Sequence, residues 1–132
     1  MTAERKASSG AVMGAPAALL RTEGLAVFAA ALAAYAALGA SWWLFAALIL
    51  APDLSMLGYL AGPRAGAFVY NAGHTYVGPA LLGALAYGFS APLAGALALI
   101  WTAHIGLDRL LGYGLKYSDG FSHTHLGRLG RN

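Results

Sequence analysis

The sequence predicts an all-α membrane protein with four transmembrane helices in an antiparallel bundle. Of its 132 residues, 59% are hydrophobic and only 10% are charged, whereas about 25% of the residues in ordinary soluble domains are charged. Two stretches, 24–52 and 65–107, contain no Asp, Glu, Lys or Arg. A soluble domain of this size needs more charge to cover its surface, so the composition argues against a soluble monomeric enzyme. The lack of cysteine excludes a disulfide scaffold, thiolate metal sites and cysteine catalysis.

The boundaries of the four spans follow from proline, glycine and charge. A polar tail, 1–14, precedes a transmembrane domain, 15–113, and a second tail, 114–132, follows it. The predicted spans are 16–38, 42–61, 66–88 and 91–113, separated by short links rich in Gly, Pro and Ser. Each span has 20 to 23 residues, which gives a helix roughly 30–35 Å long at 1.5 Å per residue. This length matches the bilayer core of about 30 Å.

The positive charges predict the orientation of the spans. The eight Lys and Arg residues lie in or next to the N-terminal tail, the 62–65 link and the C-terminal tail, whereas the links 39–41 and 89–91 carry none. Because cytoplasmic loops are enriched in Lys and Arg, both termini are predicted to be cytoplasmic. The net charge of +3 is spread over these regions without forming a basic patch. The expected partner is therefore the lipid bilayer, and no nucleic acid is expected.

Each predicted span contains at least one ionisable group, and one such group in each span lies at a similar depth. They are Glu23, Asp53, His74 and His104, with Asp108 one helical turn after His104. The distances along each helix place the first four of these residues roughly 10–14 Å from the cytoplasmic boundary. Ionisable groups within a membrane are costly and usually face the interior of a bundle. The sequence thus predicts a polar site in the cytoplasmic half of the bundle.

Carboxylate and imidazole groups at one depth suit a divalent metal such as zinc, iron or manganese. His74, His104 and Asp53 are the predicted metal ligands. Asn71 shares a helix face with His74, since residues three apart are neighbours. His125, with His123 in an H-x-H pair, could reach back to the cytoplasmic mouth of the bundle. The spacing matches no known metal signature, so a buried network of ion pairs and a proton or ion pathway remain alternatives.

Several stretches together resemble the small bacterial membrane proteins grouped as domain of unknown function 4260. These stretches are Leu19–Gly24, Pro52–Tyr59, Tyr70–Thr75, His104–Arg109 with Gly112–Tyr117, and Thr124–Arg128. The resemblance covers roughly residues 19–130 and implies a four-span membrane protein. We expect this multi-pass protein to lie in a bacterial inner membrane. It supplies no activity. Seven candidate residues match the family pattern: Glu23, Asp53, Asn71, His74, His104, Asp108 and His125.

Three functions are compatible with these patterns. The first is a metal-dependent membrane hydrolase that acts on a lipid-like or small substrate. The second is transport of protons, ions or small molecules, which would require a polar path through the outer half and, for four helices, a homo-oligomer. The third is a structural role in which the polar cluster only fixes the helices, without catalytic activity. The sequence does not decide between an enzyme and the other two classes.

Overall fold

The computed structural model describes residues 14–115, 123–124 and 126–128. These residues form five α-helices, one 3-10 helix and a short antiparallel strand pair. The elements are α1 (Gly14–Leu38), α2 (Trp42–Leu48), the 3-10 helix (Ala51–Ala61), α3 (Pro63–His74), α4 (Val77–Gly88), α5 (Pro92–Leu111), β1 (His123–Thr124) and β2 (Gly127–Arg128). The predicted N-terminal tail lies almost entirely outside the described residues, as does most of the predicted C-terminal tail.

Three segments are long and apolar enough to cross a membrane: Gly14–Leu38, Trp42–Ala61 and Pro92–Leu111. Val77–Gly88 is a shorter apolar helix. Large hydrophobic side chains are exposed along these segments, and Leu60 is 88% exposed. Exposed apolar surface of this extent suits contact with lipid chains rather than with water. The fold is therefore that of a helical membrane protein.

The second and third predicted spans are each interrupted next to a proline. Proline has no backbone N–H and cannot donate to the carbonyl four residues earlier. Pro52 leaves the carbonyl of Leu48 without that donor, and α2 ends at Leu48, before the 3-10 helix begins. Pro79 does the same for Thr75, which is extended at φ −98° and ψ 150° between α3 and α4. With 12 residues each, α3 and α4 are about 18 Å long, too short to cross the bilayer core alone.

Helix α5 is the central element of the bundle. It packs extensively against α1 and α4 and touches the 3-10 helix, whereas α3 packs mainly on the 3-10 helix. The crossing of α1 and α5 is very close at Gly24 and Gly106. A Cβ atom added at Gly106 would lie 2.8 Å from the backbone nitrogen of Phe28 and 2.9 Å from the carbonyl oxygen of Gly24. Only glycine permits this approach, as is common where membrane helices cross.

One hydrogen bond and one apolar cluster hold α1 against α5 near opposite ends of the pair. At one end, the Nε atom of Arg21 donates to the carbonyl of Leu110 over 2.9 Å. At the other end, the fully buried Tyr35 donates its hydroxyl to the carbonyl of Ser41 over 2.5 Å. Tyr35 also forms the main apolar core with Ile100, against which α2 packs. The start of α1 therefore lies beside the end of α5.

Candidate metal centre

Four titratable side chains from three elements meet at one point in the bundle. Asp53 lies in the first turn of the 3-10 helix, His74 is the last residue of α3, and His104 and Asp108 lie four residues apart on α5. One ligand atom from each residue can be chosen so that all four atoms lie within 4.8 Å of one another. The two imidazole side chains are 3% exposed, Asp108 is 18% exposed and Asp53 is 34% exposed. The cluster is therefore buried at its histidines and most open at Asp53.

The distances within this cluster are short and nearly equal. The Oδ1 atom of Asp53 lies 3.1 Å from Nε2 of His74 and 3.1 Å from Nε2 of His104. The Oδ2 atom of Asp108 lies 3.4 Å and 3.3 Å from the same two nitrogens. The two Nε2 atoms lie 3.1 Å from each other. A tetrahedral ion with ligands at about 2.0–2.1 Å has ligand atoms about 3.3–3.4 Å apart.

Backbone carbonyls orient both imidazole rings. The Nδ1 atom of His74 lies 2.8 Å from the carbonyl oxygen of Tyr70, and the Nδ1 atom of His104 lies 2.6 Å from that of Ile49. A carbonyl oxygen only accepts hydrogen bonds, so each Nδ1 atom carries the proton that it donates. In the neutral rings, both Nε2 lone pairs then point into the cluster. Histidine ligands of metals are commonly held by this type of Nδ1–H bond.

The cluster therefore contains four acceptors and requires a positive charge. Two unprotonated Nε2 atoms and two carboxylates repel one another unless a cation or added protons lie between them. A divalent cation would satisfy all four groups at once. Protonation of a histidine would give an ion-pair network instead. The group has the composition and the spacing to hold a metal ion.

The break between α3 and α4 determines the position of His74, and two side chains of α5 stabilise this break. The indole Nε1 of Trp101 donates to the carbonyl of Gly73 over 2.7 Å. The Nη2 atom of Arg109 donates to the carbonyl of His74 over 3.0 Å. The ring of His74 also stacks on Tyr70, with the ring centroids 3.8 Å apart. Backbone groups at a helix break within a membrane need such partners because lipid offers none.

The start of the 3-10 helix positions Asp53. The hydroxyl of Ser55 donates to the carbonyl of Pro52 over 2.7 Å and lies 3.4 Å from Nδ1 of His74. The lack of a side chain at Gly73 allows this approach, since a Cβ atom there would lie 3.0 Å from the Ser55 hydroxyl. A long 3-10 segment is uncommon and often marks a functional position.

The other sequence-derived candidates lie in different surroundings. Glu23 is exposed on α1 and does not belong to the four-residue cluster. Asn71 is half-buried one turn before His74. His125 lies outside the described residues. The structure thus brings together Asp53, His74, His104 and Asp108 from the seven candidates.

Sequence reasoning did not assign a site role to Trp101 and Arg109. Trp101 carried one signal that could have identified it, because a buried indole N–H usually needs an acceptor and a broken helix supplies free carbonyls. No sequence signal marks the carbonyl of Ile49 as the partner of His104, since the two residues are 55 positions apart.

The fold and the cluster define a helical membrane protein with a group of Asp and His side chains in its interior. The chain belongs to the family described as Domain of unknown function (DUF4260), whose family model matches residues 17–129. This match confirms the resemblance noted from the sequence. Comparisons with curated proteins and with solved structures found no match.

Proposed function

We propose that Asp53, His74, His104 and Asp108 bind one divalent metal ion within the membrane. The observation that carries this proposal is the 3.1 Å distance between the Nε2 atoms of His74 and His104. Both nitrogens face each other as acceptors because both Nδ1 atoms donate to carbonyls. A metal ion between them converts this repulsion into coordination.

The donor set narrows the choice of metal. Two imidazole nitrogens and two carboxylate oxygens suit zinc, iron or manganese better than copper(I), which prefers sulfur ligands. The near-tetrahedral spacing of five of the ligand pairs favours zinc among these. Iron and manganese accept the same donors with additional ligands.

The chemistry that such a site supports is hydrolysis. A bound metal lowers the pKa of a water molecule, so that hydroxide is available at neutral pH. Catalytic zinc sites usually keep one position for water beside three protein ligands. Asp53 is the most exposed of the four groups, so we assign it the role of exchanging with water and accepting its proton. The water oxygen would form a bond to the carbonyl carbon of the substrate, the bond from that carbon to the leaving oxygen or nitrogen would break, and Asp53 would pass the proton to the leaving atom.

The proposed site lies in the cytoplasmic half of a four-span protein whose termini both face the cytoplasm, in a bacterial inner membrane. The distribution of Lys and Arg supports this orientation. We take α3 and α4 together as the third crossing, because α4 is an apolar helix and 12 residues alone are too short to cross the bilayer core.

A structural ion-pair network is the second candidate, because the same distances fit a protonated histidine between two carboxylates. Transport has less support. It requires a polar path beyond the cluster, yet the cavity of about 790 Å³ between α1, α4 and α5 is lined mainly by Ala, Gly, Leu and Pro. An oligomer would be needed chiefly for the transport function.

The metal content of protein purified in mild detergent tests the proposal. We expect about one zinc, iron or manganese ion per chain in the parent protein, and none in the variant His74→Ala/His104→Ala. Glu23→Ala is the matched control, since Glu23 is exposed and outside the cluster, and it should retain the metal. Absence of metal in the parent after incubation with all three ions, with the helical fold intact, would overturn the metal site in favour of the ion-pair network.

A further inference from the structure

A small apolar cavity lies next to the 3-10 helix and α5, two of the elements that carry the candidate metal centre. Its volume is about 220 Å³, and it is a partly open cavity formed by the end of α2, the start of the 3-10 helix, α4 and α5. The lining side chains are Leu48, Ala51, Pro52, Leu82, Leu97, Ile100 and Trp101. Every one of them presents hydrocarbon or aromatic surface, and the polar tip of Trp101 is already bonded to the carbonyl of Gly73.

Two residues of the cavity wall lie close along the chain to residues of the cluster. Pro52 precedes Asp53, the most open ligand. Ile100 lies one helical turn before His104 on α5, a rise of about 6 Å along the helix. The carbonyl of Ile49, next to the cavity wall, holds the ring of His104. The cavity therefore lies next to the segments of the chain that carry Asp53 and His104.

We propose that this cavity binds the hydrocarbon chain of an acyl substrate and places its carbonyl group at the metal. The inference rests on the proposed metal site and names the substrate class that the site would hydrolyse, an ester or amide of a fatty acid. The metal would attract the carbonyl oxygen, and the cavity would hold the methylene groups next to it.

The size and the chemistry of the cavity favour a single acyl chain. An apolar cavity of about 150 Å³ holds a benzene molecule and stays dry, so a volume of about 220 Å³ holds a short run of methylene groups. Water and ions would find no polar partners there. A lipid chain reaches the cavity from the surrounding bilayer, where the exposed Leu50 and Leu54 flank Asp53 along the chain.

Alkyl hydroxamates of increasing length test this inference, because the hydroxamate group chelates metals as a carbonyl analogue. The protein is loaded with Co²⁺, whose visible absorption reports each change in its ligands, and is titrated with hydroxamates of two to eight carbons. We expect the affinity to rise by about fourfold per methylene, the value for burial of a CH₂ group from water. The rise should level off once the cavity is filled.

Substitutions at two neighbouring positions on α4 distinguish binding in the cavity from non-specific binding. Leu82→Trp fills the cavity. We expect this variant to lose the increase in affinity with chain length, while the two-carbon hydroxamate still binds. Gly83→Leu projects into the larger cavity between α1, α4 and α5, where the nearest side-chain atom is 3.9 Å from the added Cβ. This control should keep the full dependence on chain length.

The outcomes distinguish the two proposals. A chain-length effect that persists in Leu82→Trp reflects partitioning into detergent and overturns the acyl pocket. Bound Co²⁺ that responds to no hydroxamate also overturns the pocket, because the site is then closed to substrates, but leaves the metal site standing. Failure of Co²⁺ to bind the parent protein overturns the metal site and with it the substrate assignment.

Discussion

The Nε2 atoms of His74 and His104 lie 3.1 Å apart, although neither nitrogen of the neutral rings has a proton to donate to the other. The two residues reach this position from different elements, the end of α3 and the middle of α5. A pair of facing acceptors is unstable in a buried site unless something positive separates them. The cluster thus couples its own stability to the binding of a cation.

This coupling predicts that metal stabilises the folded protein. A ligand that binds only the native state, present at 100 times its Kd, raises the free energy of unfolding by about 2.7 kcal/mol. We expect zinc to raise the unfolding temperature of the parent protein in detergent and a chelator to lower it. The variant His74→Ala/His104→Ala should respond to neither. An equal response of both proteins would mean that zinc acts elsewhere.

The bond from Trp101 to Gly73 predicts a loss of stability in Trp101→Phe. This change keeps an aromatic ring but removes the N–H that satisfies the carbonyl of Gly73. A buried acceptor left without a partner costs about 1–3 kcal/mol. Thermal or denaturant unfolding in detergent measures the change. Trp43→Phe is the control, since Trp43 is 87% exposed, and a similar loss in both variants would argue against the role of the helix break.

Depth along the spans was a good guide to the cluster because it follows from helix geometry alone. Depth does not determine how each helix is rotated about its axis. For this reason it did not predict that Glu23 lies outside the cluster. Its neighbour Gly24 is buried against Gly106 and Arg109, so Glu23, about 100° further round α1, points away from this contact. A proline can be identified from the sequence. Whether the helix bends or breaks near that proline depends on tertiary contacts, such as the hydrogen bond from Trp101, which the sequence does not show.

The close crossing of α1 and α5 predicts opposite effects at two glycines. Gly106→Ala would place a methyl group 2.8–3.2 Å from backbone atoms of α1, and overpacking of this kind costs about 1–3 kcal/mol. Gly88→Ala has nothing within 4 Å of the added Cβ, so the better helix propensity of alanine should be neutral or slightly stabilising. Unfolding of both variants in detergent tests the difference. Equal stability of the two variants would show that α1 and α5 can move apart at Gly106 without a loss in the free energy of unfolding.

The orientation of the spans can be tested without background labelling, because the chain contains no cysteine. Ser41→Cys lies in the link after α1, and Ala61→Cys lies at the end of the 3-10 helix; both positions are exposed. Since Lys and Arg are concentrated near the second position and absent from the first link, the proposed topology places Ser41 outside and Ala61 at the cytoplasmic face. A membrane-impermeant maleimide should therefore label Ser41→Cys in intact cells and Ala61→Cys only after permeabilisation. The reverse labelling pattern would mean that the protein has the opposite orientation and that the candidate metal centre lies in the outer half of the membrane.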